Sequence, residues 1–198
     1  RSKRHFATNQ HAPVIRLDFL MPVPLLDVAA QNLALEAELQ NAFARVLHSG
    51  RYILGEEVSA FENETAARCG AAHGIGVSSG TDALLLALMS LGIGPGDEVL
   101  VPTITYVASF QAISSTGAVP VACDVIKDTV FIDVEDATKR LSEKTRAIMP
   151  VHYGSGSLGI TAVYEFANKY NLRVVEDAAH SFGCFRDDKI IGAEGDVV

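Results

Sequence analysis

Four short stretches hold the residue types that chemistry needs. "SSGTD", Ser78–Asp82, sets hydroxyls, a glycine and a carboxylate directly before the apolar run "ALLLAL". "TITYVAS" carries Tyr106, and "IMPVHY" ends in His152 and Tyr153. "VVEDAAHSFG" drives two apolar residues straight into Glu176 and Asp177, with His180 three positions further on. Each stretch has an ordinary use. Ser79 can simply cap a helix, a contribution of about 1 kcal/mol, with Asp82 in its first turn. Tyr106 can pack on a neighbouring helix. His152 is by type more often a hydrogen-bonded structural residue than a catalyst, and Asp177 can cap the next turn.

As a set they suit one kind of ligand. A helix start after Ser79 presents free N–H groups and a positive dipole end to a phosphate. Gly80 permits close backbone approach there, and Ser79 and Thr81 add hydroxyls. An aromatic such as Tyr106, on a loop above a sheet edge, stacks on a flat ring. A carboxylate ending a buried strand needs something to offset its desolvation, and a protonated ring nitrogen facing Asp177 would do so. Pyridoxal 5′-phosphate has all three parts, and its protonated ring accepts electrons from a carbanion at the attached carbon. A dinucleotide site is the rival use of the same segment. Gly74, Gly76 and Gly80 resemble G-x-G-x-x-G, but the third glycine arrives one residue late and no acid ends the next strand, "DEVLVP".

These residues converge only if the intervening elements alternate regularly. The first 24 residues, with three prolines, read as an extended arm. From Asp27, a candidate N-cap, apolar residues at Val28, Leu35, Leu39, Ala42, Phe43 and Val46 predict a helix ending near "HSG". A loop, "RYILG", leads to a second helix with Val58, Phe61 and Thr65 on one face. Beyond residue 73, "GIGVSS" reads as a strand and "TDALLLALMSLG" as a helix apolar nearly all round, hence well buried. "DEVLVP", "VPVACD", "TRAIMPV" and "LRVVED" read as strands; "TYVASFQAISSTG", "DVEDATKRLSE" and "TAVYEFANKYN" read as helices between them. Such alternation implies an α/β domain: a mostly parallel sheet with helices on both faces. Ligands of these sheets sit beyond the carboxyl ends of the strands. That edge holds Ser78–Asp82, Thr103–Tyr106, His152 and Tyr153, and Glu176–His180.

Composition narrows the classes. The 198 residues are 48% hydrophobic and 20% charged, which gives ample material for a core. A net charge of −8 argues against a broad nucleic-acid or anionic-membrane surface. No apolar run of about 18 residues exists to span a membrane. Cys69, Cys123 and Cys184 are scattered, odd in number and without metal-ligand spacing, so no metal is expected and a cytoplasmic location is.

The motifs "SSGTDALLLAL", "GIGPGDEVLVPTITYVAS", "GAVPVACDV", "TRAIMPVHY" and "LRVVEDAAHSFG" resemble, in that order, the DegT/DnrJ/EryC1/StrS nucleotide-sugar aminotransferases. "VPLLDVAAQ" and "SGRYILGEEVSAFE" fit the same pattern, so the resemblance runs from Val23 to Val198. It implies the aspartate-aminotransferase fold (pyridoxal phosphate fold type I) and a homodimer with active sites at the subunit interface. The implied reaction moves an amino group, usually from glutamate, to a keto sugar on a nucleotide diphosphate. Residue by residue, it implies that Gly80, Thr81 and Asp82 hold the phosphate and Tyr106 stacks on the ring. Asp177 then partners the pyridine nitrogen, His180 reaches the ring or its phenolic oxygen, and Glu176 is a structural companion. Arg51 and Tyr52 are implied only as residues near substrate.

Two departures stand out. Gly159 and Thr161 occupy positions where the family carries an acidic pattern. The family's Schiff-base lysine is expected beyond Val198, since Lys127, Lys139, Lys144, Lys169 and Lys189 lie on helices, turns or a polar hairpin. The expected organisation is therefore an arm over 1–24 and, over 25–198, a cofactor-binding large domain incomplete at its C-terminus, without the small C-terminal domain. Two other functions remain open at this point. One is a nucleotide-sugar dehydratase of the same fold, and the other a non-catalytic regulatory or cofactor-binding domain.

Overall fold

The computed structural model describes residues 24–186 and 188–198. The arm expected over residues 1–24 lies, but for Pro24, outside them. The chain divides into two units at Tyr52/Ile53. In the first, α1 (Val28–Ala34) starts at Asp27, whose side chain accepts from the Ala30 N–H at 2.9 Å. A short turn at Leu35 separates it from α2 (Glu36–Ser49), where the apolar spacing predicts one helix. The Leu35 N–H bonds to Asn32 O at 3.0 Å, an i→i+3 tightening that ends α1. Gly50, at φ +68°, closes α2 in the left-handed conformation.

The second unit begins with α3 (Glu56–Cys69) and then alternates as expected. α4 (Gly80–Ser90), β1 (Glu98–Pro102), α5 (Val107–Ser115), β2 (Val119–Cys123) and α6 (Val134–Lys139) follow. Then come β3 (Thr145–Ile148), α7 (Ile160–Tyr170), β4 (Arg173–Val174) and an antiparallel hairpin, β5 (Phe185–Arg186) with β6 (Lys189–Ile190). The sheet is parallel, in the order β2-β1-β3-β4. The strand order reverses between β1 and β3, the place where open α/β sheets form their crevice.

Strand alternation sorts the core into two layers. Val99, Val101, Ala147, Met149 and Val175 pack with Leu84, Leu88, Ala112 and Ile113 of α4 and α5. Leu100, Ile148 and Val174 turn the other way, onto Phe131, Ala137 of α6, and Val163, Phe166 and Ala167 of α7. Helices thus cover both faces.

Two local expectations need correction. "GIGVSS" is not a strand: Ile75 is exposed, and no described strand runs beside it. α3 takes one of its amides instead, the Gly76 N–H donating to Glu62 Oε1 at 2.7 Å. α4 is also less enclosed than its all-round apolarity implies. Leu84, Ala87 and Leu88 are buried, while Leu86 and Met89 are exposed.

A Cβ at Gly74 would stand 2.4 Å from the carbonyl oxygen of Glu62, a backbone atom that cannot swing aside. Gly74→Ala is therefore expected to lower stability by about 1–3 kcal/mol, read as a reduced urea midpoint. Gly80→Ala, where nothing lies within 4 Å, should leave that midpoint unchanged or raise it.

Candidate active site

The carboxyl ends of β3 and β4 are stitched together beyond the strands proper. The Asp177 N–H donates to Pro150 O at 2.9 Å and the His152 N–H to Asp177 O at 3.0 Å. Val151 and Asp177 form a parallel bridge. Period-two alternation therefore continues past β4 and sends the neighbouring carboxylates to opposite faces.

Glu176 turns to the α7 side and is 2% exposed. Its Oε2 lies 2.7 Å from His152 Nε2, on a ring that is itself fully buried. The Tyr164 hydroxyl of α7 donates to its other oxygen. Burial, reinforced by the Glu176 carboxylate, pushes the Tyr164 hydroxyl well above the usual tyrosine range, so it remains a donor. This is a buried structural cluster, as expected for Glu176, and it gives His152 Nε2 a structural partner, while His152 Nδ1 has none among the described residues.

Asp177 turns to the α5 side and is only half-buried. Ser109, fully buried on α5, donates to its Oδ2 at 3.0 Å, and the Ala179 N–H donates to Oδ1 at 3.3 Å. The Thr105 hydroxyl lies 2.7 Å behind Ser109. Asp177 is thereby tied to the first turn of the helix that Tyr106 opens. Tyr106 is the residue preceding α5 and is 77% exposed, so its ring packs under nothing described here.

α4 packs on α5 and enters β1 through the tight turn at Gly94–Asp97. Its C-terminus is thus at the amino edge of the sheet. Eleven residues rise about 16 Å, roughly the length of the five-residue β1, which brings the N-terminus of α4 level with the carboxyl edge. There the Ser79 hydroxyl accepts from the Asp82 N–H at 3.1 Å and donates to the Asp82 carboxylate at 2.9 Å. Hydrogen bonds from Ser78 and Ser79 hold the Asp82 carboxyl below the usual range. The Asp82 amide is therefore occupied by the cap. Among the described residues, the N–H groups of Gly80 and Thr81 have no acceptor.

His180 lies at the same edge. Its Nδ1 accepts from the Gly154 N–H at 3.3 Å and its carbonyl from Ser155 Oγ at 2.6 Å, while the Tyr153 ring stands 6.0 Å away. An accepting Nδ1 assigns the hydrogen to Nε2, leaving that atom as a donor. Arg51 and Tyr52 belong to the other unit. There the Arg51 N–H bonds to Ser49 Oγ at 3.1 Å and the Tyr52 hydroxyl to Leu47 O at 3.3 Å.

Ser109 is the contributor that pattern reading misses for Asp177, while Thr105 lies within the Thr103–Tyr106 edge segment without a role being read for it. The available signal is a serine in the buried stripe of a helix, flanked by Ala108, Ala112 and Ile113. A cavity of about 90 Å³ lies elsewhere, lined by Tyr164, Glu176, Arg186 and Lys189 among others. None of Gly80, Tyr106, Asp177 or His180 borders it. The candidate site is the open strand edge.

Residues 34–198 match the DegT/DnrJ/EryC1/StrS aminotransferase family. The chain belongs to that family. A dTDP-3-amino-3,4,6-trideoxy-alpha-D-glucose transaminase of Streptomyces venezuelae is 47% identical over 175 residues, 88% of this chain and 46% of that protein. A dTDP-3-amino-3,6-dideoxy-alpha-D-galactopyranose transaminase of Aneurinibacillus thermoaerophilus is 43% identical over 88% of the chain and 48% of its own length. The crystal structure of S. venezuelae DesV in complex with a ketimine intermediate superposes with a TM-score of 0.86 at 47% identity. The match covers 89% of this chain and 47% of that one. This DegT-family chain thus spans about half the length of the relatives it matches, within an aminotransferase-type α/β domain.

Removing the Glu176 carboxylate leaves a buried histidine and a tyrosine hydroxyl without their partner. Glu176→Ala is expected to cost about 2–5 kcal/mol and Tyr164→Phe about 1–2 kcal/mol. Chemical denaturation of both variants checks that order.

Proposed function

We propose that the protein carrying this chain uses pyridoxal 5′-phosphate to transfer an amino group to a keto sugar on a nucleotide diphosphate. The amino donor is glutamate, the donor the family resemblance implies. Glutamate leaves as 2-oxoglutarate and the keto sugar becomes an amino sugar, so the two half-reactions balance without an outside oxidant or reductant. The observation that carries the reading is Asp177, a half-buried carboxylate held against the first turn of α5 at the strand edge. The names of the transaminases it is similar to support the same reading.

The donor set fits the coenzyme. When bound, pyridoxal phosphate supplies an electron-accepting ring that stabilises negative charge on the carbon losing or gaining nitrogen. The free amides of Gly80 and Thr81, beside an open space at Gly80, would receive the phosphate. The Asp82 side chain would stay in the cap rather than meet the phosphate, since two like charges repel. Tyr106 would cover the ring face, Asp177 would hold the proton on the ring nitrogen, and His180 Nε2 would donate to the phenolic oxygen. Arg51 and Tyr52 are kept as substrate-binding residues, as the family resemblance implies.

The reading includes a second copy of the chain beside the site, supported by exposed Ile104, Tyr106 and Val107 at that edge. It also includes a cytoplasmic location, supported by three cysteines without disulfides.

In the complete protein, glutamate should shift the absorbance band of bound pyridoxal phosphate; an unmoved band would sink the transaminase reading. Asp177→Ala should lower turnover by at least about a thousandfold, because the ring nitrogen loses its charge partner. Coenzyme phosphate anchoring should persist in that variant, measured by competition with inorganic phosphate.

A further inference from the structure

Ser109 is a fully buried serine in the first turn of α5. The ordinary outlet for such a hydroxyl is the carbonyl one turn back. Here it is used differently. The Ser109 hydroxyl donates to Asp177 Oδ2 at 3.0 Å, a residue 68 positions away. It has only one hydrogen, so the 2.7 Å contact with Thr105 must run the other way, Thr105 Oγ1–H donating to Ser109 Oγ. The result is a directed line, Thr105 to Ser109 to Asp177.

The line acts on a soft coordinate. The terminal torsion of an aspartate is broad and roughly two-fold, so packing alone fixes the plane of its carboxylate poorly. Ser109 on Oδ2 and the Ala179 N–H on Oδ1 pin that plane from two sides. Each oxygen accepts one hydrogen bond and retains a further lone pair. Because Ser109 lies three residues after Tyr106, the N-cap of α5, it also ties the carboxylate to the element that carries that ring.

We propose that Ser109 is a positioning residue, holding the Asp177 carboxylate so that its remaining lone pairs are presented to the ring nitrogen of pyridoxal phosphate, with Thr105 fixing the direction of the Ser109 hydroxyl. This rests on the coenzyme reading above and adds to it a residue that acts only through Asp177. Its effect is therefore specific to one atom of the coenzyme.

That specificity supplies the test. The complete protein and its Ser109→Ala variant are titrated with pyridoxal phosphate and with the 1-deaza analogue, in which a C–H replaces the ring nitrogen. Bound chromophore is followed by absorbance, and each variant's melting temperature is recorded. Ser109→Ala should weaken pyridoxal phosphate binding roughly tenfold, the loss of one charge-assisted hydrogen bond's orientation, while changing analogue binding by less than about twofold. Ser109→Cys fills nearly the same space with a weak donor and should show the same selectivity at roughly threefold. It carries the test should the alanine variant fail to fold. Equal losses for both ligands, or none for either, overturn the positioning role. An unsubstituted protein that binds neither ligand overturns the coenzyme reading itself, an outcome distinct from the first.

Discussion

Two successive carboxylates at the end of one strand must leave it on opposite faces, and the structure around the candidate site follows from how each is accommodated. Glu176 goes to the α7 layer, where it is buried, and there it is matched by the buried His152 ring and the Tyr164 hydroxyl. Asp177 goes to the α5 layer, but at the rim, where Ser109 and the Ala179 amide bind it without enclosing it. A buried acid without partners costs several kcal/mol, so neither placement tolerates a register slip.

The consequence is a division of labour between the two layers. On the α7 side the edge of the sheet is held by a buried polar cluster resting on the Phe131 and Val163 core. On the α4 and α5 side the same edge stays open, and every group assigned to coenzyme lies there or on the adjoining loops. α4 ends at the amino edge and α5 begins at the carboxyl edge, which sets the uncapped amides of Gly80 and Thr81 at the same level as Tyr106. Ala108 and Ala112 are small enough to let α5 lie close to the strands, which brings Ser109 within hydrogen-bond reach of Asp177.

Each departure from expectation has its own physical reason. "GIGVSS" alternates like a strand, yet a strand exists only where another backbone lies alongside, and Glu62 of α3 takes its amide instead. "TDALLLALMSLG" reads as apolar all round, yet only the side facing α5 and the sheet is covered. The apolar stripe from Val28 to Val46 is one pattern in sequence and two helices in space, because a single tightened turn at Leu35 leaves the spacing almost unchanged.

Local chemistry was readable from the chain: the caps at Asp27 and Ser79, the helix stop near "HSG", and the parallel strands of "DEVLVP" and "TRAIMPV". These depend on residue type and spacing within one or two turns of backbone. The partners of the two acids were not readable. His152 and Tyr164 reach Glu176, and Ser109 reaches Asp177, only because β3, α5 and α7 are set side by side by a sheet order that no local pattern encodes. A hydroxyl or a ring becomes a partner by distance and direction in three dimensions, and those come from packing.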